Sequence, residues 1–523
     1  MSSLQLPKLL QLRKLEQDLR HCLIPLMRPR LYNSLNFLMP TSEALRISEV
    51  AAPSAEAAMP EPKHVVYPTI PNSIPRVKAE MLRQIGAAST DEFYADIPDA
   101  LRLRGRMDLP APLLSEAALR RRVREILARN TTCEDSLSFL GAGCYQHYVP
   151  AVCDEVNGRS EFLTAYAGEP YEDHGRFQAL FEYCSMMGEL LEMDVVSVPT
   201  YDGFQASATA LRMACRLTGR RRVLLAGTLG RDRLSKFRDY CSPDIDLALL
   251  PYDRLTGRMD LEALRRELSS GPAAVYFENP SYLGFLEGQA GEIATMAHAR
   301  GAECVVCVDP ISLGVIAPPA AYGADIVCGD IQPLGMHMQF GGGHAGFIAT
   351  RDEERYVRQF PSRLFGVAPT SVSGEFGFGD VAYERTSFAV REQGNEWVGT
   401  AAALWGITAG VYMALMGPQG FAEIGEGILQ RSHYAARQLA AIPGVRAPHF
   451  EAPFFKEFIV NYDATGITVA DVNRGLREQR IFGGVDLSRE FPELGQSALL
   501  CVTEMHTQAD LDRLAGAVRE VLL

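Results

Sequence analysis

The chain has 523 residues, of which 47% are apolar and 22% charged, so it can bury a large core and should fold as two or more globular units. Its formal net charge of -13 excludes the usual kind of nucleic-acid-binding surface, since such a surface needs clustered lysine and arginine. Only six lysines occur, so chemistry that depends on a lysine has few candidates: Lys8, Lys14, Lys63, Lys78, Lys236 and Lys456.

The amino-terminal residues differ in composition from the rest of the chain and predict a separate segment in front of the globular part. Charged residues interrupt the apolar stretch 9–23, which predicts a basic amphipathic helix and not a secretory signal. Residues 50–63 are rich in alanine and proline and predict a flexible linker. We take residues 1–66 as an extension that suits contact with a partner, an anionic surface or another copy of the chain. A helical segment, 67–135, follows it. Its main predicted helices cover 77–85 and 116–129.

Alternating strands and helices follow from residue 194 onward. The candidate strands are apolar or β-branched runs at 194–198, 222–225, 246–250, 273–277, 304–308, 326–328 and 345–349. This alternation predicts an α/β domain with a largely parallel sheet that is covered by helices on both faces.

The carboxyl-terminal part predicts a second, smaller domain. Residues 398–417 carry no formal charge over a length that suits a bilayer span, but over half are alanine, glycine and threonine, which favours a buried helix. The later elements are a helix at 420–441, a strand at 456–462, a helix at 469–478, a strand at 497–502 and a helix at 508–522. We therefore expect a large α/β domain at 136–417 and a small α+β domain at 418–523.

The eleven cysteines are scattered along the chain and form no compact framework of the kind seen in small secreted domains. This usage favours a reducing, cytoplasmic compartment. The closest pair, Cys304 and Cys307, lies in a β-branched run, and no second Cys/His pair follows at zinc spacing. We expect both to be core residues, and we predict no metal site.

A large α/β domain followed by a small α+β domain is a common plan for enzymes that bind pyridoxal 5'-phosphate (PLP). The run Tyr201-Asp202-Gly203 follows a strand and opens a helix, where backbone amides could hold a phosphate, although an ordinary turn explains it equally well. Asp309 ends another strand, where a carboxylate usually meets a pyridinium nitrogen. A helix cap or a loop salt bridge is the alternative for Asp309.

A third feature lies directly after the next predicted strand, 326–328. In enzymes that bind PLP, the lysine that forms the Schiff base would be expected at this place. Residues 329–333 read Gly-Asp-Ile-Gln-Pro and precede the glycine run 340–343. Gln332 and Pro333 occupy the place of that lysine, and proline has no side-chain amine. A plain proline turn is the alternative interpretation.

Nine motifs together resemble subunit 1 of the two-subunit glycine dehydrogenase (decarboxylating), the P-protein of the glycine cleavage system. They lie in family order between about residues 67 and 523, and only their combination is specific. The motifs are SFLGAGCYQHYVPAVCD (138–154), RSEFLTAY (159–166), YDG (201–203), DPISLG (309–314), YGADIV (322–327), FGG (340–342), PGV (443–445), PFFKEF (453–458) and LCVTE (500–504).

The resemblance implies the PLP-dependent transferase fold of fold type I, which is aspartate-aminotransferase-like. It also implies that the cofactor lysine belongs to a homologous subunit 2, in a His-Lys pair, so that a missing lysine at Pro333 is normal for this subunit. The partner would hold PLP, glycine would lose carbon dioxide, and its aminomethyl carbon would pass to a lipoyl carrier protein. Two copies of each subunit would form a heterotetramer.

Several positions depart from the family pattern. Residues 167–175 and 393–400 differ from the usual subunit 1 motifs, and the second change loses a lysine and gains an acid. Pro333 stands where serine is more usual, and His337 and His344 replace proline and tyrosine. These changes leave two functions equally open. One is plain glycine cleavage, and the other is that of a specialised biosynthetic paralogue, which would act on a relative of glycine or on another acceptor.

The histidines raise a second enzymatic hypothesis. His337 follows Pro333 closely, and a histidine near the cofactor could move a proton in a site that binds PLP without a covalent link. A surface or packing role is the alternative. His147 and His174 are further candidates, and with Tyr148 they suit substrate or interface contacts. A third hypothesis is a catalytically silent scaffold that stabilises its partner.

Overall fold

The computed structural model describes residues 65–103, 105, 107–163, 176–396, 398 and 401–523. The chain divides into two compact units, Met1–Pro112 and Leu113–Leu523. The described part of the first unit contains helix α1 (Pro75–Gln84), close to the predicted 77–85, together with short 3-10 turns. Helix α1 starts on a proline, which suits the first helical turn because proline lacks the amide hydrogen that this turn leaves unpaired. All elements below belong to the second unit.

The described strands include all seven that the sequence predicts in the large sheet and both that it predicts in the small one. In chain order the strands are β1 (Leu137–Ser138), β2 (Val195–Val196), β3 (Arg222–Ala226), β4 (Asp246–Leu250), β5 (Ala274–Glu278), β6 (Glu303–Val308), β7 (Ile326–Asp330), β8 (Gly346–Thr350), β9 (Phe365–Pro369), β10 (Phe376–Asp380), β11 (Glu457–Asn461), β12 (Ile481–Phe482), β13 (Val485–Asp486) and β14 (Ser497–Cys501).

The described helices of the second unit cover and flank these strands. In chain order they are α2 (Glu116–Leu127), α3 (Ala151–Asn157), α4 (Ser160–Leu163), α5 (Phe177–Leu191), α6 (Gly203–Thr218), α7 (Arg231–Cys241), α8 (Leu261–Leu268), α9 (Ala290–His298), α10 (Glu354–Val357), α11 (Ala403–Ala440), α12 (Val469–Glu478) and α13 (Gln508–Leu522). Helices α12 and α13 have the predicted boundaries, and α2 ends two residues early.

The large sheet has the strand order β2-β8-β7-β6-β5-β3-β4. Strands β3 to β7 pair in parallel, and only β8 runs antiparallel to its two neighbours. The predicted, largely parallel sheet is therefore confirmed. Every residue of β6 is buried, as a strand covered on both faces requires.

Alternate residues of these strands enter two separate cores, one on each face of the sheet. Leu224 and Val306 join the core that contains Tyr412 of α11, whereas Val223 and Val305 join the core that contains Leu211 of α6. The two-residue period of a strand explains this division. Cys304 and Cys307 follow the same alternation and are free and buried, so the prediction of core cysteines is confirmed.

Helix α11 consists of two helical segments that meet at Gly417, so the prediction of two helices on either side of residue 418 is confirmed. It kinks at Gly417, whose φ of 58° and ψ of -179° are not helical, and Pro418 follows directly. Its first half is buried, as expected, because small residues allow close contact: a Cβ on Gly406 would lie 2.8 Å from Pro199. Within the described ranges, the helices include none that is long and apolar enough to cross a membrane.

The carboxyl-terminal residues form a three-stranded antiparallel sheet in the order β11-β14-β13. Helices α12 and α13 cover it through a core that includes Phe458, Leu500 and Leu514. Strand β1 pairs in parallel with β12 and so brings residues 137–138 to this part of the molecule. The domain boundaries at 66, 135 and 417 stay predictions.

Candidate functional site

A cleft of about 1030 Å³ opens at the carboxyl ends of β6 and β7. Ligands of open α/β sheets usually bind at this edge, where loops from several strands meet. Four residues that the sequence predicts for the site line this cleft: Tyr201, Asp202, Asp309 and Pro333. Lys456 and Glu457, at the start of β11, close it from the other side.

Asp309 follows β6 and makes two contacts with its own chain. One carboxylate oxygen, Oδ1, accepts a hydrogen bond of 3.1 Å from the amide of Ile311 and so caps the 3-10 turn Pro310–Gly314. The other oxygen, Oδ2, lies 2.6 Å from Nζ of Lys456. The structure thus contains both alternatives considered for Asp309, a helix cap and a salt bridge.

Lys456 is 97% buried, with a side-chain exposure of 3%, and has three polar or aromatic neighbours. Besides Asp309, its ammonium lies 3.2 Å from Nε2 of His147 and 3.3 Å from the centre of the Tyr145 ring. A desolvated ammonium is costly unless such partners surround it, and a cation over an aromatic face contributes about 2 kcal/mol in buried settings. Lys456 is therefore fixed in place.

The contacts continue from His147 to the carboxyl-terminal part of the chain. Nδ1 of His147 lies 2.9 Å from Oε2 of Glu504, and Oε1 of Glu504 accepts a 2.7 Å hydrogen bond from the amide of Tyr148. Burial opposes ionisation of Glu504, but its interaction with His147 and the hydrogen bond between them lower the pKa of this carboxyl to about 2. Asp309, Lys456, His147 and Glu504 thus form a continuous buried polar chain.

Glu457 is a second buried carboxyl beside this chain. Its Oε1 accepts a 2.7 Å hydrogen bond from the amide of Ala142, and its Oε2 accepts a 3.0 Å hydrogen bond from the hydroxyl of Tyr145. Gly141 has to be glycine here, because a Cβ would overlap the Glu457 carboxylate. Burial raises the pKa of Glu457 to about 7, although the Ala142 amide and Lys456 act in the opposite direction.

This raised pKa gives a testable pH dependence. The ordinary pKa is 4.5, so folding favours the protonated carboxyl, and the wild-type chain should lose stability as the pH rises from about 4.5 to about 7. The substitution Glu457→Gln removes that loss. We expect the variant to gain about 2 to 3 kcal/mol relative to wild type between pH 5 and pH 8 in urea unfolding.

The matched control for that experiment is Glu478→Gln, which changes an exposed glutamate in the last position of α12. Its stability difference from wild type should stay constant between the two pH values. An unchanged pH profile in Glu457→Gln would contradict the raised pKa.

At the other side of the cleft, α6 presents its amino terminus. Oδ1 of Asp202 accepts a 2.6 Å hydrogen bond from the amide of Gln205, and Oδ2 of Asp330 accepts one of 2.8 Å from the amide of Gly203. Nδ1 of His344 lies 3.1 Å from the same Asp330 oxygen. Its hydrogen bonds to Asp330 and then to Cys144 raise the pKa of His344 to about 10, so this ring is a cation at neutral pH.

Gln332 supports the cleft from beneath and does not line it. Its side chain is fully buried, and its Oε1 accepts a 3.0 Å hydrogen bond from the amide of Tyr145. Its Nε2 donates to the carbonyl oxygens of Tyr145 at 2.9 Å and Met336 at 3.1 Å. Gln332 therefore fixes the backbone that carries Tyr145, and Pro333 next to it faces the cleft without an amine.

The remaining predicted residues lie in different places. His337 is on the surface, with its Nε2 3.0 Å from Asp154, and it does not line the cleft. His147 is buried in the polar chain, whereas the side chain of Tyr148 is exposed. His174 lies outside the described residues, as does the divergent run 167–175.

Glu396 is the acidic residue that the divergent run 393–400 gains relative to the family pattern, and it is paired with two arginines. Glu396 forms an ion pair of 2.8 Å with Arg216 and a hydrogen-bonded pair with Arg212, and both arginines belong to α6. Burial opposes ionisation, yet these two cations lower the pKa of Glu396. The acid therefore ties this segment to α6, away from the cleft.

Sequence reasoning did not single out several groups of the site. Lys456, Glu457 and Glu504 lie within motifs that carry the family resemblance, but they were not predicted as site residues. A signal was present, because a Lys-Glu pair inside an apolar strand implies buried charges, and buried charges need partners. Asp330 belongs to the run 329–333 at the predicted cofactor position, but no role was predicted for its side chain. His344 differs from the residue usual in the family, and no site role was predicted for it either.

The residues of this cleft do not fit PLP. Binding the cofactor covalently needs an amine, a carboxylate that is open to the ring nitrogen, and backbone amides that are open to the phosphate. Pro333 has no amine, Asp309 is paired with Lys456, and the amide of Gly203 already donates to Asp330.

Comparisons with known proteins agree with the fold and the motifs. The family model "Glycine cleavage system P-protein" matches residues 70–518. A probable glycine dehydrogenase (decarboxylating) subunit 1 from Staphylothermus marinus is 38% identical over 465 residues, which cover 87% of this chain and 98% of that protein.

Solved structures give the same result. A crystal structure of glycine decarboxylase (P-protein) in inhibitor-bound form has a TM-score of 0.75 and 35% identity, over 87% of this chain and 100% of that chain. A sphingosine-1-phosphate lyase from Burkholderia pseudomallei, at 15% identity and a TM-score of 0.59 over 82% of this chain and 94% of that chain, shows the fold alone. The fold is that of fold-type-I PLP enzymes, as predicted, and the chain belongs to the P-protein family of the glycine cleavage system.

Proposed function

We propose that this chain is subunit 1 of a two-subunit glycine decarboxylase and works with a homologous, lysine-bearing subunit 2. The partner subunit holds PLP, which supplies an electron sink for the loss of carbon dioxide from glycine. The remaining aminomethyl group is passed to a lipoyl carrier protein. The observation that carries the proposal is the cleft, in which Pro333 offers no amine and Lys456 already pairs with Asp309.

The surface around the cleft supports a role at the junction with the partner. The exposed fraction is 61% for Tyr148, 52% for Tyr201 and 93% for Phe340. Phe340 also has a φ of 58°, in the left-handed region that large side chains seldom adopt. Exposed aromatic side chains of this kind are typical of protein contact surfaces.

The decisive experiment is reconstitution. This chain, the partner and a lipoylated carrier are mixed with PLP and carboxyl-labelled glycine, and released carbon dioxide is counted. We expect release from the complete mixture, and a loss of at least about 100-fold when either subunit is left out, because neither chain alone has the full set of catalytic groups. Equal release by the partner without this chain would overturn the proposal. Faster release from another small amino acid would favour the specialised paralogue.

A catalytically silent scaffold is the second candidate, and the pairing of Asp309 with Lys456 favours it. The variants Tyr148→Ala and Tyr201→Ala change exposed side chains and should leave folding intact. If this chain completes the active site, one of them should lower turnover of the assembled enzyme about tenfold. If both variants keep full turnover and assemble like wild type in size-exclusion chromatography, then this chain is a scaffold.

We further propose a heterotetramer with two copies of each subunit, located in the cytoplasm. Ten cysteines fall within the described residues and all are free, which suits a reducing compartment. Closed symmetric assemblies of this kind are the common arrangement for oligomeric enzymes.

A further inference from the structure

We propose that the cleft of this chain carries built-in substitutes for the two charged ends of PLP: the ammonium of Lys456 in place of the ring nitrogen and the carboxylate of Asp330 in place of the phosphate. The inference concerns this chain alone and holds whether or not the assembled enzyme acts on glycine.

At the ring end, the substitute is a cation of the same sign as a protonated pyridine. The ammonium of Lys456 lies 2.6 Å from Oδ2 of Asp309. It is also held over the ring of Tyr145 at 3.3 Å and beside His147 at 3.2 Å. A pyridinium would compete with this ammonium for the Asp309 carboxylate, because two like charges at that distance repel each other.

At the phosphate end, the substitute is an anion on the amino terminus of α6. A helix amino terminus attracts negative charge through its unpaired amides. In this chain the Gly203 amide donates to Asp330 at 2.8 Å and the Gln205 amide to Asp202 at 2.6 Å. A Cβ on Gly203 would lie 2.9 Å from the Cβ of Asp330, so the two backbones are in close contact. A phosphate would have to displace Asp330 and would face the carboxylate of Asp202.

The cations closest to the two carboxylates are paired as well. Asp309 and Asp330 end neighbouring parallel strands, β6 and β7, which are about 5 Å apart. Lys456 neutralises the first carboxylate and His344 the second, at 2.6 and 3.1 Å. Arg233, which also lines the cleft, pairs with Glu278 at 2.7 Å. The carboxylates of Asp309 and Asp330 are thus each paired with a cation of this chain, without any bound ligand.

The test uses two probes that cannot form a Schiff base, pyridoxine and pyridoxine 5'-phosphate, which differ only in the phosphate. Binding to the isolated full chain is measured by equilibrium dialysis at pH 7.5. Wild type should bind neither probe with a Kd below about 1 mM, since both ends are filled. Lys456→Met should tighten binding of both probes about tenfold or more, because it exposes the Asp309 carboxylate.

The variant Asp330→Asn tests the other end independently. It removes the competing charge from the amino terminus of α6, so it should tighten binding of pyridoxine 5'-phosphate about tenfold and leave pyridoxine unchanged. It also keeps the inference testable should Lys456→Met fail to fold. The control is His337→Gln, an exposed residue that does not line the cleft, and it should behave as wild type.

Three results would overturn the inference. The first is micromolar binding of pyridoxine 5'-phosphate by wild type. The second is a variant Asp330→Asn that binds both probes equally well or neither of them. The third is a folded Lys456→Met variant with unchanged binding. Failure of the reconstituted complex to act on glycine bears on the proposed function and leaves these binding results unaffected.

Discussion

Replacing Lys456 by methionine is expected to lower the free energy of unfolding by about 3 to 5 kcal/mol, because Asp309 would stay buried without its cation. Methionine keeps most of the length and volume of the lysine side chain, so the loss would come from the charge and not from a cavity. Urea unfolding of the isolated chain at pH 7.5 measures it.

A double-mutant cycle with Asp309→Asn separates the ion pair from other effects of the substitution. If the pair dominates, then the double variant should lose at least about 2 kcal/mol less than the sum of the two single losses. Strictly additive losses would show that the contacts of Lys456 with Tyr145 and His147 matter more than its pairing with Asp309.

The substitution Gly346→Ala is expected to cost on the order of 3 kcal/mol or more, although it adds only one methyl group. Gly346 begins β8, and a Cβ there would overlap the backbone oxygen of Asp202 and the hydroxyl of Thr200. Because a backbone oxygen cannot rotate away, the amino terminus of α6 would have to move. We expect a lower midpoint of urea unfolding, and a cleft that is disturbed at the Asp330 side.

Gly379→Ala is the matched control for this prediction. Gly379 is also a strand residue, in β10, but a Cβ on it would have no atom within 4 Å. This variant should unfold within about 0.5 kcal/mol of wild type. Equal stability of the two alanine variants would rule out the close contact between β8 and α6.

The sequence predicted the large sheet well because its strands are buried on both faces. Runs such as 304–308 and 326–328 are continuous and apolar, and this pattern identifies such strands directly. The ribbon of β9 and β10 was missed, since its glycines and a proline weaken the strand signal. The break inside α11 was predicted correctly, because Gly417 and Pro418 together mark a helix end.

The site was predicted only in part, and the reason is distance along the chain. Asp309, Tyr201 and Pro333 could be identified because each follows its own strand. The pairing of Asp309 with Lys456 joins distant segments, and no local pattern encodes such a pairing. Position in the sequence alone favours His337 over His344 as the residue near the cofactor. The backbone between them turns through left-handed residues, among them Phe340, and this turn brings His344 to the cleft instead.

The internal pairing of Asp309 and Asp330 bears on how this chain would be made in a cell. A protein whose buried carboxylates are already paired with its own side chains should mature without vitamin B6, because no ligand is needed to neutralise them. We expect this chain to accumulate in starved cells in folded form, ready to assemble once the vitamin returns. If only the partner subunit holds PLP, as proposed, each pair of subunits would bind one coenzyme molecule. A pair of subunits that each held PLP would need two.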